Sequence, residues 1–125
     1  MASGKVVYLV DDDGSARTGL LRVLREGGHD ARGCENADSL FSSLDEQAAD
    51  CLVLDARMPG LTVKDLHQEL CRRNIHLPVI FVTADDDPEL KQWAQDVSAA
   101  GFFRKPVDGI ALLDAIDWAI NSDKT

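Results

Sequence analysis

Three carboxylates in a row, Asp11-Asp12-Asp13, stand directly after the apolar run Val6-Val7-Tyr8-Leu9-Val10, and a second apolar run, Cys51-Leu52-Val53-Leu54, ends in Asp55. Carboxylates held a few ångströms apart repel by roughly 4 kcal/mol per pair at an effective dielectric of about 20, so the acids after the first run call for a proton or a cation. Two further apolar runs lead to Thr83 and, past Arg104, to Lys105. A hard cation such as Mg²⁺ takes carboxylate oxygens together with waters and a phosphate. A carboxylate can accept a phosphoryl group as an acyl phosphate while a metal, an ammonium and a hydroxyl share the charge on its oxygens. Acids, lysine and threonine together therefore point to phosphoryl transfer.

Elements that could bring these residues together follow from periodicity. After the first strand, Ala16, Leu20, Val23 and Leu24 recur at helical spacing up to Gly27-Gly28. A weakly patterned strand is predicted from His29 to Gly33, near a sheet edge, and Asn36 then caps a helix carrying Leu40, Phe41 and Leu44. The Cys51 to Leu54 strand is followed by the Met58-Pro59-Gly60 turn, and Thr62 with Asp65 has the pattern of a helix start for Val63, Leu66 and Leu70. Pro78 to Val82 reads as the fourth strand, and Asp87 with Pro88 opens a helix carrying Leu90, Ala94 and Val97. A fifth strand at about Ala100 to Phe103 precedes a last helix lined by Ile110, Leu113, Ile116 and Ile120. Strands alternating with helices, most of the strands continuously apolar, imply an α/β fold with a mainly parallel sheet covered on both faces. In such a sheet the carboxyl ends of the strands share one edge, where residues spread from Asp11 to Lys105 would converge.

Composition bounds the rest. A chain of 125 residues, 45% of them hydrophobic, fits one domain with a core of its own. Its 13 basic and 22 acidic residues give a net charge of −9, which argues against direct nucleic-acid binding by this segment. Cys34, Cys51 and Cys71 lack the C-x-x-C spacing of a metal site and are read as reduced structural thiols, which with the absence of a signal-like start or a membrane-length apolar run places the chain in the cytoplasm.

The residues resemble the receiver domains of two-component response regulators, most closely the FixJ-like subgroup. The resemblance runs from Val6-Val7-Tyr8-Leu9-Val10-Asp11-Asp12-Asp13 through Leu52-Val53-Leu54-Asp55-Ala56-Arg57-Met58-Pro59-Gly60 and Val79-Ile80-Phe81-Val82-Thr83-Ala84 to Gly101-Phe102-Phe103-Arg104-Lys105-Pro106. It implies a flavodoxin-like, doubly wound five-stranded parallel sheet of order 2-1-3-4-5 with five helices, residues 1–125 forming a single receiver domain with an ordered core over about 5–121 and no output domain in the chain. It further implies Asp55 as phosphoacceptor, with Mg²⁺ or Mn²⁺ held by Asp11, Asp12, Asp55 and the carbonyl of Arg57, and Thr83 and Lys105 as the phosphate-sensing pair. Phe102 would be a switching aromatic, and the Lys105-Pro106 bond would be cis. Asp13 falls where the family varies and is read as a helix cap. Expected partners are a sensor histidine kinase and, on phosphorylation, a second copy through the face of the fourth helix, fifth strand and fifth helix. The outcome would be control of transcription through an output domain. No membrane contact is expected, and no turnover beyond the domain's own phosphorylation and autodephosphorylation.

Departures from the family pattern bear on that reading. Phe102 has no hydroxyl, so switching there must be steric, and Val63 stands where the subgroup commonly has Gly. Arg57 and Asp85 occupy the two variable rim positions and are expected to pair across the phosphate's access route, slowing hydrolysis. A haloacid-dehalogenase-type phosphohydrolase, the enzyme alternative, would need an acid where Arg57 stands, and a flavodoxin-type binder would need phosphate donors where the three acids stand. A receiver acting without phosphorylation is the narrower alternative. His29, His67 and His76 are assigned no chemistry, and Trp93 and Trp118 are read first as core residues.

Overall fold

The structure, a computed structural model, describes residues 5–57 and 62–122. The predicted Met58-Pro59-Gly60 turn lies outside the described residues. Strands β1 (Val6–Val10), β2 (Asp30–Cys34), β3 (Cys51–Asp55), β4 (Val79–Thr83) and β5 (Gly101–Arg104) alternate with helices α1 (Gly14–Glu26), α2 (Ala37–Glu46), α3 (Val63–Arg72), α4 (Pro88–Asp96) and α5 (Gly109–Ser122). All strand pairs are parallel, in the order β2-β1-β3-β4-β5. That is the order the resemblance implies, and β2, weakly patterned in sequence, lies at the edge.

The central strands are apolar on both faces because helices cover both. Tyr8, Val10, Leu52, Leu54, Val79 and Phe81 face α2, α3 and α4, where Leu40, Leu66 and Ala94 meet them. Val7, Leu9, Cys51, Val53, Ile80 and Val82 face α1 and α5, against Leu24, Leu112 and Ile116. This alternation is the two-residue period of a strand sandwiched between helix layers. Each fully buried Leu or Phe of these layers contributes roughly 1.5–3 kcal/mol of transfer free energy.

Helix starts follow the cap chemistry expected of them. Asn36 accepts from Ser39 N, Thr62 Oγ1 from Asp65 N and Asp87 Oδ1 from Leu90 N, with Pro88 in the first turn of α4. Tyr8, buried at the sheet, directs its hydroxyl to the carbonyls of Ser43 (3.1 Å) and Gln47 (3.0 Å), tying β1 to the end of α2.

Three details differ from the sequence reading. On α1 the buried stripe includes Leu21 as well as Leu24, while Leu20 and Val23 are half-buried, so the helix is rolled relative to the predicted face. On α5 the buried residues are Leu112, Ile116, Ala119 and Ile120, and Ile110 is 74% exposed. Leu112, two positions on in the same turn, takes the sheet-facing place and is fully buried, which leaves Ile110 on the outer side. Trp93 packs partly into the core beside Phe81, but Trp118, read as core, is 68% exposed, because Ala119 and Ile120 occupy the sheet-facing positions next to it. Leu113 is half-buried, meeting the backbone of Gly27, where a Cβ would come within 2.5 Å of its Cδ2.

Candidate functional site

The carboxyl edge of the sheet brings the predicted residues together. Backbone hydrogen bonds past the strand ends carry the register into the site: Asp11 N donates to Cys34 O (3.0 Å), Ala56 N to Val82 O (2.7 Å) and Lys105 N to Thr83 O (2.8 Å). Asp11, Asp55 and Thr83 are buried at 1%, 4% and 2% exposure, while Asp12 is exposed. Carboxylate oxygens of Asp11, Asp12 and Asp55 all lie within 4.8 Å of one another.

Each buried carboxylate is held at both oxygens. Asp11 Oδ1 accepts from Asp13 N and Asp55 Oδ1 from Arg57 N, both at 2.9 Å. The ammonium of Lys105 sits between the other two oxygens, 3.1 Å from Asp11 Oδ2 and 2.9 Å from Asp55 Oδ2. Lys105 is delivered by β5 and by the bond to Pro106, which is cis as the resemblance implies. Thr83 Oγ1 accepts from Asp85 N at 3.1 Å, which fixes the hydroxyl at the end of β4.

Asp13 takes the role expected of it: its Oδ1 accepts from Ser15 N (3.0 Å) and Ala16 N (3.2 Å) as the cap of α1. Sequence reasoning missed Arg17, whose Nη1 donates to the carbonyl of Asp11 at 2.6 Å and so braces the turn that carries the acids. Arg17 four residues past Asp13 on a helix was the available signal, but only the folded turn shows which carbonyl it reaches. The expected rim pair is present, with the Arg57 guanidinium bonded to the Asp85 carboxylate, and both side chains are well exposed. Phe102 is half-buried against the α2–α3–α4 face of the core. Of the histidines, His29 pairs with Asp117 (2.9 Å), His76 with Asn74 (2.9 Å), and His67 lies edge-on to Trp93.

Burial and the neighbouring Asp11 push the Asp55 carboxyl above its ordinary range, burial being the larger cause; the Arg57 N–H and Lys105 oppose them. Burial works against the charge on Lys105, but its hydrogen bonds to Asp55 and Asp11 outweigh it and hold its pKa above the ordinary lysine value. Three carboxylates face one ammonium, so the cluster keeps a surplus of negative charge that a hard divalent cation fits. Oxygen donors alone, two of them buried, exclude a thiophilic metal by the same argument.

A doubly wound sheet with an acidic, lysine-bridged pocket at its switch point defines a receiver module. Residues 7–117 match the family model described as the response regulator receiver domain, and the chain belongs to that family, a component of two-component signalling. It is 36% identical over 119 residues to nodulation protein W of Bradyrhizobium diazoefficiens, covering 95% of this chain and 52% of that protein. It is 32% identical over 110 residues to the transcriptional regulatory protein FixJ of Azorhizobium caulinodans, covering 88% and 52% respectively. The chain thus spans about half the length of the curated relatives it matches. A crystal structure of a receiver domain protein from Clostridium thermocellum superposes with a TM-score of 0.87 at 24% identity, covering 96% of this chain and 97% of that one, which shows the shared fold. The family is one of response regulator receivers and not a classical enzyme family.

Proposed function

We propose that Asp55 accepts a phosphoryl group from the phosphohistidine of a sensor histidine kinase and that the acyl phosphate so formed switches the domain's partners. The observation that carries this is the buried carboxylate of Asp55, held within reach of Lys105, Asp11 and Asp12 at the sheet's carboxyl edge. An Asp55 oxygen forms the new bond to phosphorus while the bond from phosphorus to the histidine nitrogen breaks, and the freed imidazole keeps that electron pair. Asp11, Asp12, Asp55 and the Arg57 carbonyl would hold Mg²⁺ or Mn²⁺, which when bound offsets charge on the phosphoryl oxygens. Lys105 is already paired with Asp55 and is positioned to follow the charge onto the phosphoryl oxygens. The Thr83 hydroxyl turns from accepting the Asp85 N–H to donating to a phosphoryl oxygen, and Phe102 fills the space it leaves.

The relatives and the acidic surface support the remainder of the reading. The phosphorylated domain pairs with a second copy through α4, β5 and α5 and controls transcription through an output domain, as the names of its relatives suggest for them. Residues 1–125 act as one receiver domain that does not bind nucleic acid itself, and its own slow hydrolysis resets it. The work is done in the cytoplasm; among the described residues no helix is long and apolar enough to cross a membrane.

Incubation with Mg²⁺ and acetyl phosphate, read by intact mass, is expected to add one phosphoryl group, and Asp55→Asn to add none. A wild-type chain that stays unmodified, or an Asp55→Asn variant that is modified as fast as wild type, would overturn the proposal.

A further inference from the structure

The edge of the sheet opposite the acids carries a pair of side chains of ligating type. His67 and Cys71 stand four residues apart on α3, so both project from the same face of the helix, with His67 Nδ1 3.9 Å from Cys71 Sγ. Both line a cavity of about 650 Å³ between the ends of α3 and α4 and the last turns of α5, where Trp118 forms part of the rim. From the geometry we infer that His67 and Cys71 chelate a borderline-soft divalent cation of the Zn²⁺ class at the mouth of this cavity.

The spacing fits one ion. Zn²⁺ binds imidazole nitrogen at about 2.1 Å and thiolate sulfur at about 2.3 Å, which in a tetrahedral site separates the two donors by about 3.6 Å. The observed 3.9 Å needs only a small rotation of the exposed Cys71 side chain. His67 is already oriented: its ring stands edge-on to Trp93 of α4, centroids 5.5 Å apart and planes at 84°. On ligation the Cys71 thiol releases its proton to solvent, and waters fill the remaining positions.

The charge of the neighbouring cations is partly offset by Glu69. Arg72 and Arg73 follow Cys71, but both are turned to Glu69, with Arg72 Nε 3.1 Å from Oε1 and Arg73 Nε 2.6 Å from Oε2. Lys64 Nζ lies over the Trp93 ring, 5.9 Å from its centroid. His76 lines the same cavity but places Nε2 on Asn74 Oδ1 at 2.9 Å, so the chelate does not need it. Donor softness separates the two ends of the molecule: oxygen donors at the carboxyl edge suit Mg²⁺, whereas imidazole and thiolate at the opposite edge suit Zn²⁺.

Cobalt(II) titration of the reduced chain in excess Mg²⁺ tests this, because a thiolate bound to cobalt gives a near-ultraviolet charge-transfer band. One cobalt per chain is expected, displaced by Zn²⁺. Cys71→Ser should abolish the band, and His67→Gln should weaken cobalt binding by about tenfold or more, while His76→Gln stays within about threefold of wild type. No band in wild type, a band that survives Cys71→Ser, or a loss with His76→Gln but not with His67→Gln would each overturn the assignment. Binding that disappears instead with Asp12→Asn would place the cobalt on the acidic pocket and overturn it as well. Acetyl phosphate labelling of the same variants is a separate readout, since none of the substituted residues at the chelate touches Asp55.

Discussion

At the scale of single residues, Asp55 is placed where chemistry gains and stability loses. Its carboxyl titrates above the ordinary range because burial, and secondarily Asp11, disfavour its charge. A carboxyl raised in the folded state binds more protons there than in the unfolded chain. Its contribution to stability is therefore fully present below the unfolded value and is lost as pH rises through the folded value. At neutral pH the charge on Asp55 is a net cost, and Asp55→Asn is expected to stabilise the fold by about 1–2 kcal/mol, with Lys105 still paired to Asp11. Thermal melts at neutral pH should show a midpoint raised by about 4–8 °C, and the gap to wild type should narrow as the buffer is taken below the carboxylate range. An unchanged or lowered midpoint at neutral pH would contradict the burial argument. The rim pair of Arg57 and Asp85 makes a smaller, kinetic contribution. Exposed pairs are worth about 0.2–1 kcal/mol, so Asp85→Ala should speed loss of the phosphoryl group by about 1.5- to 5-fold, followed as decay of the phosphorylated mass. A decay no faster than wild type would remove the pair from the route of the attacking water.

At the scale of elements, the α1–β2 contact steadies the acids. Gly33 on β2 has no side chain, and Arg17 of α1 lies across it to reach the Asp11 carbonyl. A Cβ at Gly33 would stand 2.8 Å from Leu21 Cδ1 and 3.0 Å from Arg17 Cδ, so Gly33→Ala must displace both chains. Overpacking of this kind costs about 1–3 kcal/mol. Gly19, exposed in the middle of α1, has nothing within 4 Å of the corresponding position, and Gly19→Ala should instead stabilise by about 0.5–1 kcal/mol through helix propensity. Urea unfolding of the two variants should thus move in opposite directions, and Gly33→Ala alone should also weaken Mg²⁺ binding because Arg17 no longer braces Asp11. Equal effects of the two substitutions would show that the Arg17 contact carries no energy.

At the scale of the whole molecule, two helix layers on one parallel sheet leave both ends of the strands open, and the two ends have opposite chemistry. The carboxyl edge collects Asp11, Asp12, Asp55, Thr83 and Lys105, and the other edge opens into the cavity beside His67, Cys71 and Trp118. The sequence by itself determined the five βα units, their caps and the set of acids, because strand runs, Asx and Thr caps and an Asp at a strand end are local features that survive unfolding. The rim pair was a candidate through the resemblance to the receiver family alone, and the structure sets β3 beside β4 so that the loops after them adjoin. Only the tertiary structure decided how far each helix is rolled on the sheet, which buries Leu21 and leaves Ile110 and Trp118 in solvent. The period of a helix marks an apolar stripe, but which edge of that stripe meets the sheet depends on side chains from other elements. For the same reason Arg17 on the Asp11 carbonyl and the His67 ring against Trp93 were not legible in the chain: each contact depends on how turns and elements are set against one another in the fold.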